Sequence, residues 1–232
     1  MSIRLPSHSR SHEQAALLTD YDIDSAYSEA YHTLYANIRF GWDSEHLTQH
    51  TLLLTTPSIY ADHAVVAANV AIAAAQSGTP TILVDADLRT PSLSQRFGLG
   101  KRAGLCDLLA EESVTAEKIA TYLCATFIPD LLLLEAGTSI ESGAALLLSP
   151  KLPEVISSLR QFLAETETRP GIVIFDSPPV LAGADASLIG THVEQTFLII
   201  AANRTTRVQA KQAQEQLQRA HANLAGIIML DV

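Results

Sequence analysis

The chain has 232 residues, enough to bury a full hydrophobic core in one large domain. Hydrophobic residues make up 47% of the chain and charged residues 17%, a composition that excludes a largely disordered protein. Acidic residues outnumber basic residues by 25 to 15, and no basic stripe is longer than Lys101–Arg102, so we expect no nucleic-acid binding.

Several features of the sequence bear on where the protein resides. No apolar stretch reaches the roughly 18 residues that a membrane-spanning helix needs. The first ten residues lack the apolar core of a signal peptide. Cys106 and Cys124 do not have CxxC spacing, which favours reduced thiols over a disulfide framework. We therefore expect a cytoplasmic protein that reaches the inner face of the plasma membrane only by recruitment.

In chain order, a polar segment comes first. Residues 1–22 are rich in Ser and His and predict a loose N-terminal arm, followed by a single domain over residues 23–232. Asp24 precedes a helical stretch whose apolar positions fall on one face: Tyr27, Tyr31, Leu34 and Ile38.

Six apolar runs of strand length and three further helical patterns follow. The runs are continuous rather than alternating, which is typical of strands covered on both faces. They are Thr51–Thr55, Thr81–Val84, Leu131–Leu134, Ile172–Phe175, Thr196–Ala201 and Ala225–Leu230. The helical patterns between them are Ala64–Ser77, Leu152–Ala164 and Thr206–His221. This alternation predicts an α/β fold: a doubly wound, mostly parallel sheet with helices on both faces and a crevice at the carboxyl ends of the strands.

Acidic side chains follow two of the predicted strands. Asp85 and Asp87 lie in ILVDADLR, with Arg89 two residues later, and Asp176 ends the run IVIFD before Ser and two prolines. A single Asp at such a place is weak evidence, because Asp is also a common turn residue and helix cap. Two such sites in one α/β chain favour a magnesium-nucleotide site, where strand-end carboxylates hold the cation and orient an attacking oxygen.

These motifs, in this order, resemble those of the bacterial tyrosine kinases (BY-kinases), P-loop proteins related to the MinD and ParA ATPases. The resemblance runs from SEAYHTLYANIRF to LAGIIMLDV and includes AANVAIAAAQSG, GLCDLL and ANRTTR. ILVDADLR is similar to the family's additional acidic motif, called Walker A′, and IVIFDSPP to its Walker B motif. The resemblance implies that Asp85, Asp87 and Asp176 serve phosphoryl transfer, with Asp87 and Asp176 at magnesium and Arg89 in the extended acidic motif.

The phosphate-binding loop departs from the family pattern. Active members carry a segment similar to P-G-x-G-K-[ST]-T between strand and helix, and both flanks match here without a gap. By that resemblance the glycines fall on Tyr60 and Asp62, the lysine on His63 and the magnesium-binding hydroxyl residue on Ala64. Tyrosine adds bulk at the phosphate, aspartate adds negative charge, histidine is short and mostly neutral at pH 7, and alanine offers magnesium no oxygen. We therefore expect no bound cofactor.

Asp62 suggests another use for the same place. It directly precedes the predicted helix, whose first N–H groups and positive partial charge favour an anion by roughly 0.3–1 kcal/mol. We hypothesise that its carboxylate caps the helix where a phosphate would lie. The alternative is an ordinary surface cap in a loop without function.

Two further departures concern assembly. The first helix of the family resembles E-x-x-R-x-x-R, which joins subunits in a ring, whereas here Glu29 is followed by His32 and Tyr35. Neither side chain makes the bidentate pair with a carboxylate that arginine makes, which places the family ring in doubt and leaves other oligomers open. Active members also carry a tyrosine-rich C-terminal tail, and no tyrosine follows Tyr122 here.

These observations leave two main classes of function. The altered loop, ring motif and tail favour a pseudokinase, a regulatory or scaffolding partner in capsule or exopolysaccharide synthesis and export. The retained acids favour an active or weakly active ATP-dependent protein-tyrosine kinase that uses Mg-ATP. A positioning ATPase of the MinD/ParA type fits the SEAY helix and DADLRTPSL less well.

The resemblance also implies a partner. BY-kinases dock on the cytoplasmic tail of a membrane chain-length or co-polymerase protein, which contacts the nucleotide-proximal face. We expect this chain to bind such a tail, or an active kinase paralogue, through the strand-end surface and without nucleotide. The alternative is that Asp85, Asp87 and Asp176 persist only as caps and turn residues.

Overall fold

The computed structural model describes residues 2–5, 17–42, 49–59, 63–138 and 143–231, with the backbone alone for residues 2–5, 143 and 144. Within these residues the chain forms one eight-stranded sheet with helices on both faces. The strands are β1 (Ser2–Leu5), β2 (Gln49–Thr55), β3 (Thr81–Asp85), β4 (Leu123–Ala125), β5 (Leu131–Leu134), β6 (Gly171–Asp176), β7 (Gln195–Ala201) and β8 (Leu224–Leu230). The helices are α1 (Ala26–Phe40), α2 (His63–Gln76), α3 (Leu93–Arg96), α4 (Leu105–Leu109), α5 (Ala116–Tyr122), α6 (Gly143–Leu146), α7 (Lys151–Thr166), α8 (Asp185–Gly190) and α9 (Arg207–Arg219).

The strand order confirms the predicted doubly wound sheet. The strands lie in the order β1-β8-β7-β2-β6-β3-β5-β4, and every neighbouring pair is parallel except the edge pair β4 and β5. All six predicted strands are present, and their ends move by at most two residues. The carboxyl ends of β2, β6 and β3 therefore lie side by side near the centre of the sheet.

Alternate residues along the central strands face opposite helical layers. Leu52 and Leu54 of β2 pack in one cluster with the apolar residues of α1 and α2. Leu53 packs in a second cluster with residues of α4 and α7 on the other face. Both faces of the sheet are buried, which explains the continuous apolar runs in the sequence.

Helix α2 is apolar around its whole circumference because it is enclosed between the sheet and α1. Residues 64–75 are all buried, and the polar member of this run is Asn69. Asn69 Oδ1 accepts the Leu18 N–H at 2.8 Å, and its Nδ2 donates to the Tyr27 hydroxyl at 3.0 Å. Among the helices that the structure describes, none is long and apolar enough to cross a lipid bilayer.

The apolar face predicted for α1 is confirmed. Tyr31, Leu34 and Ile38 are buried and Tyr27 is half-buried. The helix is capped by Ser25, the residue after Asp24, since the Ser25 hydroxyl accepts the Ser28 N–H at 3.1 Å.

The N-terminal segment is more ordered than the sequence predicts. Ser2–Leu5 forms β1, which pairs in parallel with β8, and a 3₁₀ turn over Leu18–Asp20 is held against α2 by Asn69. The structure therefore corrects the loose arm of residues 1–22 at these two places. The polar composition of residues 1–22 did not indicate either segment, because each is short and is stabilised by residues distant in sequence. Residues 6–16 lie outside the described residues, and a separate domain over residues 23–232 stays a prediction.

Candidate functional site

The predicted acidic residues meet at the carboxyl edge of the sheet. Asp85 is the last residue of β3 and Asp176 the last residue of β6, and the two are directly paired across these strands. On the other side of β6, Asp176 pairs with Leu54 near the end of β2. Asp87 follows Asp85 by two residues, and all three aspartates are at most 1% exposed. The order of the strands thus brings together the two acidic motifs that the sequence places far apart.

Asp85 and Asp87 organise the loop that follows β3. Asp85 Oδ2 accepts the N–H groups of Ser92 and Leu93 at 3.1 and 3.0 Å. Asp87 Oδ1 accepts the N–H groups of Arg89 and Thr90 at 3.1 and 2.9 Å, and its Oδ2 accepts the Thr90 hydroxyl at 2.9 Å. Both aspartates therefore have the turn-forming role that the sequence analysis kept open.

His63, the first residue of α2, also contacts Asp87. Its Nε2 lies 3.4 Å from Asp87 Oδ2, and the two side chains are 13% and 2% exposed. Burial alone would raise the pKa of Asp87, but the contact with His63 and the hydrogen bonds from Thr90 outweigh it and hold that pKa below its usual range. Asp87 is thus an ionised carboxylate with protein groups on both oxygens.

Asp176 has a different environment. Neither of its carboxylate oxygens, and not Asp85 Oδ1, has a hydrogen-bond partner among the residues that the structure describes. Burial raises the pKa of Asp176 to about 7, with His63 and Arg96 opposing and Asp87 reinforcing the shift. Burial, then the charge of Asp176, raises the pKa of Asp85 to about 8. A buried carboxylate without a partner is rare in proteins, so Asp176 has no structural explanation of the kind that fits Asp87.

Arg89 has a partner that the sequence analysis missed. Its Nε donates to Asp185 Oδ2 at 2.6 Å and its Nη2 to Asp185 Oδ1 at 3.3 Å. Asp185 begins α8 and is 5% exposed, whereas the Arg89 side chain is 44% exposed. A forked pair of this kind fixes the direction of the guanidinium. Asp185 lies nine residues after Asp176, in the segment that follows IVIFDSPP, but nothing in its spacing indicates Arg89 as its partner.

A fifth buried acid directly follows β5 and was also missed. Glu135 is 1% exposed, and its Oε2 accepts the Ser94 hydroxyl at 2.9 Å and the Arg102 N–H at 3.2 Å. It ties the chain after α3 to the edge of the sheet. The signal was available, because Glu135 follows the apolar run LLLL just as Asp176 follows IVIF.

The structure describes part of the segment that the sequence analysis aligned with the phosphate loop. Tyr60 and Asp62 lie outside the described residues, so the hypothesis that Asp62 caps α2 stays a prediction. Ala64 is buried in the first turn of α2 and has no side-chain oxygen.

These residues do not fit a magnesium nucleotide in the way the resemblance implies. Asp87 already accepts hydrogen bonds from its own loop, and Ala64 supplies no ligand oxygen. Within the described ranges, no three His, Cys, Asp or Glu side chains are arranged to hold a metal ion. Of the three strand-end aspartates, Asp176 keeps both oxygens and Asp85 keeps Oδ1 without a hydrogen-bond partner among the described residues.

The positions implied at the ring interface differ in exposure. Glu29 is exposed and His32 half-buried, but Tyr35 is 2% exposed and its hydroxyl donates to Thr79 Oγ1 at 2.5 Å. Tyr35 is therefore a core residue, and its side chain cannot contact a neighbouring subunit.

Comparison with known proteins gives relatives over nearly the whole length. No family model matches the chain. Tyrosine-protein kinase YwqD of Bacillus subtilis (strain 168) is 31% identical over 231 residues, covering 99% of this chain and 90% of YwqD. The putative tyrosine-protein kinase EpsB of Ralstonia solanacearum is 29% identical over 177 residues, covering 76% of this chain and 22% of EpsB.

Solved structures agree. The chimerical protein CapA2B2 superposes with a TM-score of 0.80 at 25% identity, covering 99% of this chain and 92% of CapA2B2. The septum site-determining protein MinD of Pyrococcus horikoshii OT3, complexed with Mg-ADP, superposes with a TM-score of 0.61 at 20% identity over 78% of this chain and 70% of MinD, a likeness in fold alone. The identity to YwqD across both chains, together with the paired acidic motifs at the carboxyl edge, shows that this chain belongs to the bacterial tyrosine kinases.

Proposed function

We propose that the chain is a BY-kinase-like pseudokinase, a regulatory or scaffolding partner in capsule or exopolysaccharide synthesis and export. The observation that carries the proposal is the environment of Asp87, whose two oxygens accept three hydrogen bonds from their own loop and contact His63. A carboxylate with these contacts stabilises its own loop and is not available to bind a magnesium nucleotide. The sequence from Thr55 to Ala64 supports the same conclusion, since it contains no glycine and no lysine.

The partner that we propose is the cytoplasmic tail of a membrane polysaccharide co-polymerase, or an active kinase paralogue. The BY-kinase resemblance supports this class of partner, and the match to 22% of EpsB supports association with a larger protein. Binding would place the chain at the inner face of the plasma membrane. Loss of ATP chemistry does not require loss of this contact, because a fold and its catalytic site are separable.

The docking surface that we propose lies at the carboxyl edge of the sheet and comprises Ile59, Arg89 and Leu181. Ile59 is 87% exposed and Leu181 37% exposed. The Leu181 N–H donates to the Pro57 carbonyl at 3.1 Å, so the turn after β6 lies beside the loop that follows β2. Exposed apolar side chains next to a fixed arginine suit a protein segment with apolar and acidic residues.

Capture from native membranes tests this proposal. Bait protein is incubated with detergent-solubilised membranes with and without ATP, and captured proteins are identified by mass spectrometry. We expect a membrane polysaccharide protein or a kinase paralogue in both conditions. A bait carrying Leu181→Asp should lose it, whereas the matched bait Leu148→Asp, altered at an exposed leucine outside the docking surface, should keep it. Recovery only with ATP, or no membrane partner at all, contradicts the proposal.

A second function is favoured by Asp176. Its unpartnered carboxylate is the group that a weakly active ATP-dependent kinase would retain. Titration with Mg-ATP or Mg-ADP, followed by thermal unfolding, separates the two functions. A ligand at 100 times its Kd stabilises a protein by about 2.7 kcal/mol. A stabilisation of this size that Asp176→Ala abolishes favours the enzyme over the pseudokinase, and we expect none.

The pseudokinase is also proposed not to form the family ring. The buried position of Tyr35 supports this, because the third position of the ring motif is turned into the core. Light scattering coupled to size exclusion should show the same mass for the wild-type protein and for Glu29→Ala.

A further inference from the structure

The loop after β3 is attached to both of its neighbours by side chains of this chain. We call residues 85–93 the acidic loop. On one side His63 Nε2, at the start of α2, lies 3.4 Å from Asp87 Oδ2. On the other side Arg89 forms its forked pair with Asp185 at the start of α8. The acidic loop therefore lies between two helices that begin at the carboxyl edge of the sheet.

We propose that His63 and Asp185 are positioning residues that clamp the acidic loop in one conformation without a nucleotide. This inference rests on the proposed nucleotide-independent function. It explains how the acidic loop, which carries Arg89 of the docking surface, keeps one conformation before a partner binds. The resemblance implies that active members hold magnesium and phosphates between the acidic motif and the start of the helix that corresponds to α2. Here two contacts within the chain, His63 with Asp87 and Arg89 with Asp185, hold the acidic loop instead.

The surroundings of both contacts support a clamp. His63 and Asp87 are largely shielded from water, so their attraction is screened less than that of a surface pair. The length of 3.4 Å is long for a hydrogen bond, so the contact is mainly electrostatic. The Asp185 side chain is also shielded from water, and both of its carboxylate oxygens accept hydrogen bonds from the Arg89 guanidinium.

Gly183 provides the space that the second contact needs. A Cβ atom at Gly183 would lie 2.7 Å from Arg89 Nη2. The backbone of Gly183 is extended, with φ of 174°, so glycine is required here for room rather than for conformation. An alanine here would require the guanidinium, the end of a flexible side chain, to shift relative to Asp185.

Hydrogen exchange of two backbone amides reports directly on the clamp. The N–H groups of Arg89 and Thr90 both donate to Asp87 Oδ1, so they are protected only while the acidic loop is closed on Asp87. The Leu83 amide lies in the middle of β3 and reports global unfolding instead. The three amides together separate a local effect from a general loss of stability.

The experiment compares the full-length protein with His63→Ala, His63→Lys and Gly183→Ala, all without nucleotide. We expect exchange at Arg89 and Thr90 to accelerate about tenfold in His63→Ala, as for the loss of one charged contact. His63→Lys places a cation beside Asp87 and should keep the protection, and Gly183→Ala should accelerate exchange at the same two amides. Leu83 should exchange at the wild-type rate throughout, and His192→Ala, altered at an exposed histidine elsewhere, should change nothing.

Unchanged exchange at Arg89 and Thr90 in His63→Ala overturns the clamp. An equal acceleration at Leu83 also overturns it, because His63 would then only stabilise the whole fold. These measurements use the isolated protein, so their outcome is independent of membrane capture. A bait that captures no partner refutes the proposed function and leaves the clamp to be judged by exchange alone.

Discussion

Replacing Asp176 with asparagine is expected to stabilise this protein at pH 8. The Asp176 side chain is buried at the end of β6, and neither oxygen accepts a hydrogen bond from the part of the chain that the structure describes. Asparagine has nearly the same shape and no charge to bury. The substitution therefore removes the cost of keeping an ionised group in an apolar environment.

The pKa gives the size of the effect. Burial raises the pKa of Asp176 from 3.8 to about 7. Each factor of ten in proton affinity corresponds to about 1.4 kcal/mol, so ionisation in the folded state costs at most about 4 kcal/mol. Between about pH 4 and pH 7 the folded state binds more protons than the unfolded state. The free energy of unfolding of the wild-type protein thus falls as the pH rises through this range. Asp176→Asn lacks the contribution of Asp176 to this decrease.

Urea denaturation from pH 5 to pH 8 measures the difference. The advantage of Asp176→Asn should grow from about 1–2 kcal/mol at pH 5 to about 4 kcal/mol at pH 8. The matched variant is Asp87→Asn, which should lose about 1–2 kcal/mol at pH 8, because it gives up charged hydrogen bonds that hold its pKa low. Its deficit should stay constant from pH 5 to pH 8 and shrink only below about pH 4, where the unfolded state binds the proton first. Equal or lower stability of Asp176→Asn at pH 8, or a gain without pH dependence, refutes the reasoning.

Three further substitutions test the packing around the site. Asn69→Leu removes both hydrogen bonds to Leu18 and Tyr27, so we expect a loss of about 1–3 kcal/mol in urea denaturation and faster exchange of the Leu18 amide. Gly104→Ala should cost about 3 kcal/mol or prevent folding, measured by circular dichroism, because its Cβ would overlap the Glu135 carbonyl oxygen. Tyr35→Phe should lower the thermal midpoint by the loss of one buried hydrogen bond, about 1 kcal/mol, without changing the mass in light scattering.

The central strands could be predicted from the sequence because each is a continuous apolar run. Residues 52–54 lie between two helical layers, and burial on both faces removes the polar positions that would obscure a strand. The outer elements gave weaker signals. Ser2–Leu5 contains an arginine and a serine among four residues, and Leu123–Ala125 has three residues, so neither segment has a recognisable period. Both segments form strands because they pair with neighbouring strands, β1 with β8 and β4 with β5.

The candidate site was predicted as a place but not as a set of contacts. Strand order alone brings Asp85 beside Asp176, and alternating strands and helices predict this meeting. The different hydrogen bonding of Asp87 and Asp176 could not be predicted. That of Asp87 depends on the turn of its own loop, and that of Asp176 depends on the loops around it. The partner of Arg89 lies 96 residues away on another element, a separation that no local pattern records.

The pairing of β1 with β8 has a consequence for how the protein is made. Ser2 lies beside Ile227, so 225 positions of chain separate the two neighbours. At a synthesis rate of about 5–20 residues per second, the first strand waits roughly 10 to 45 s before its neighbour exists. The central strand β2 likewise waits for β6 and β7. The growing polypeptide thus presents unpaired strand edges to the cell throughout translation, and we expect ribosome-associated chaperones to set its yield.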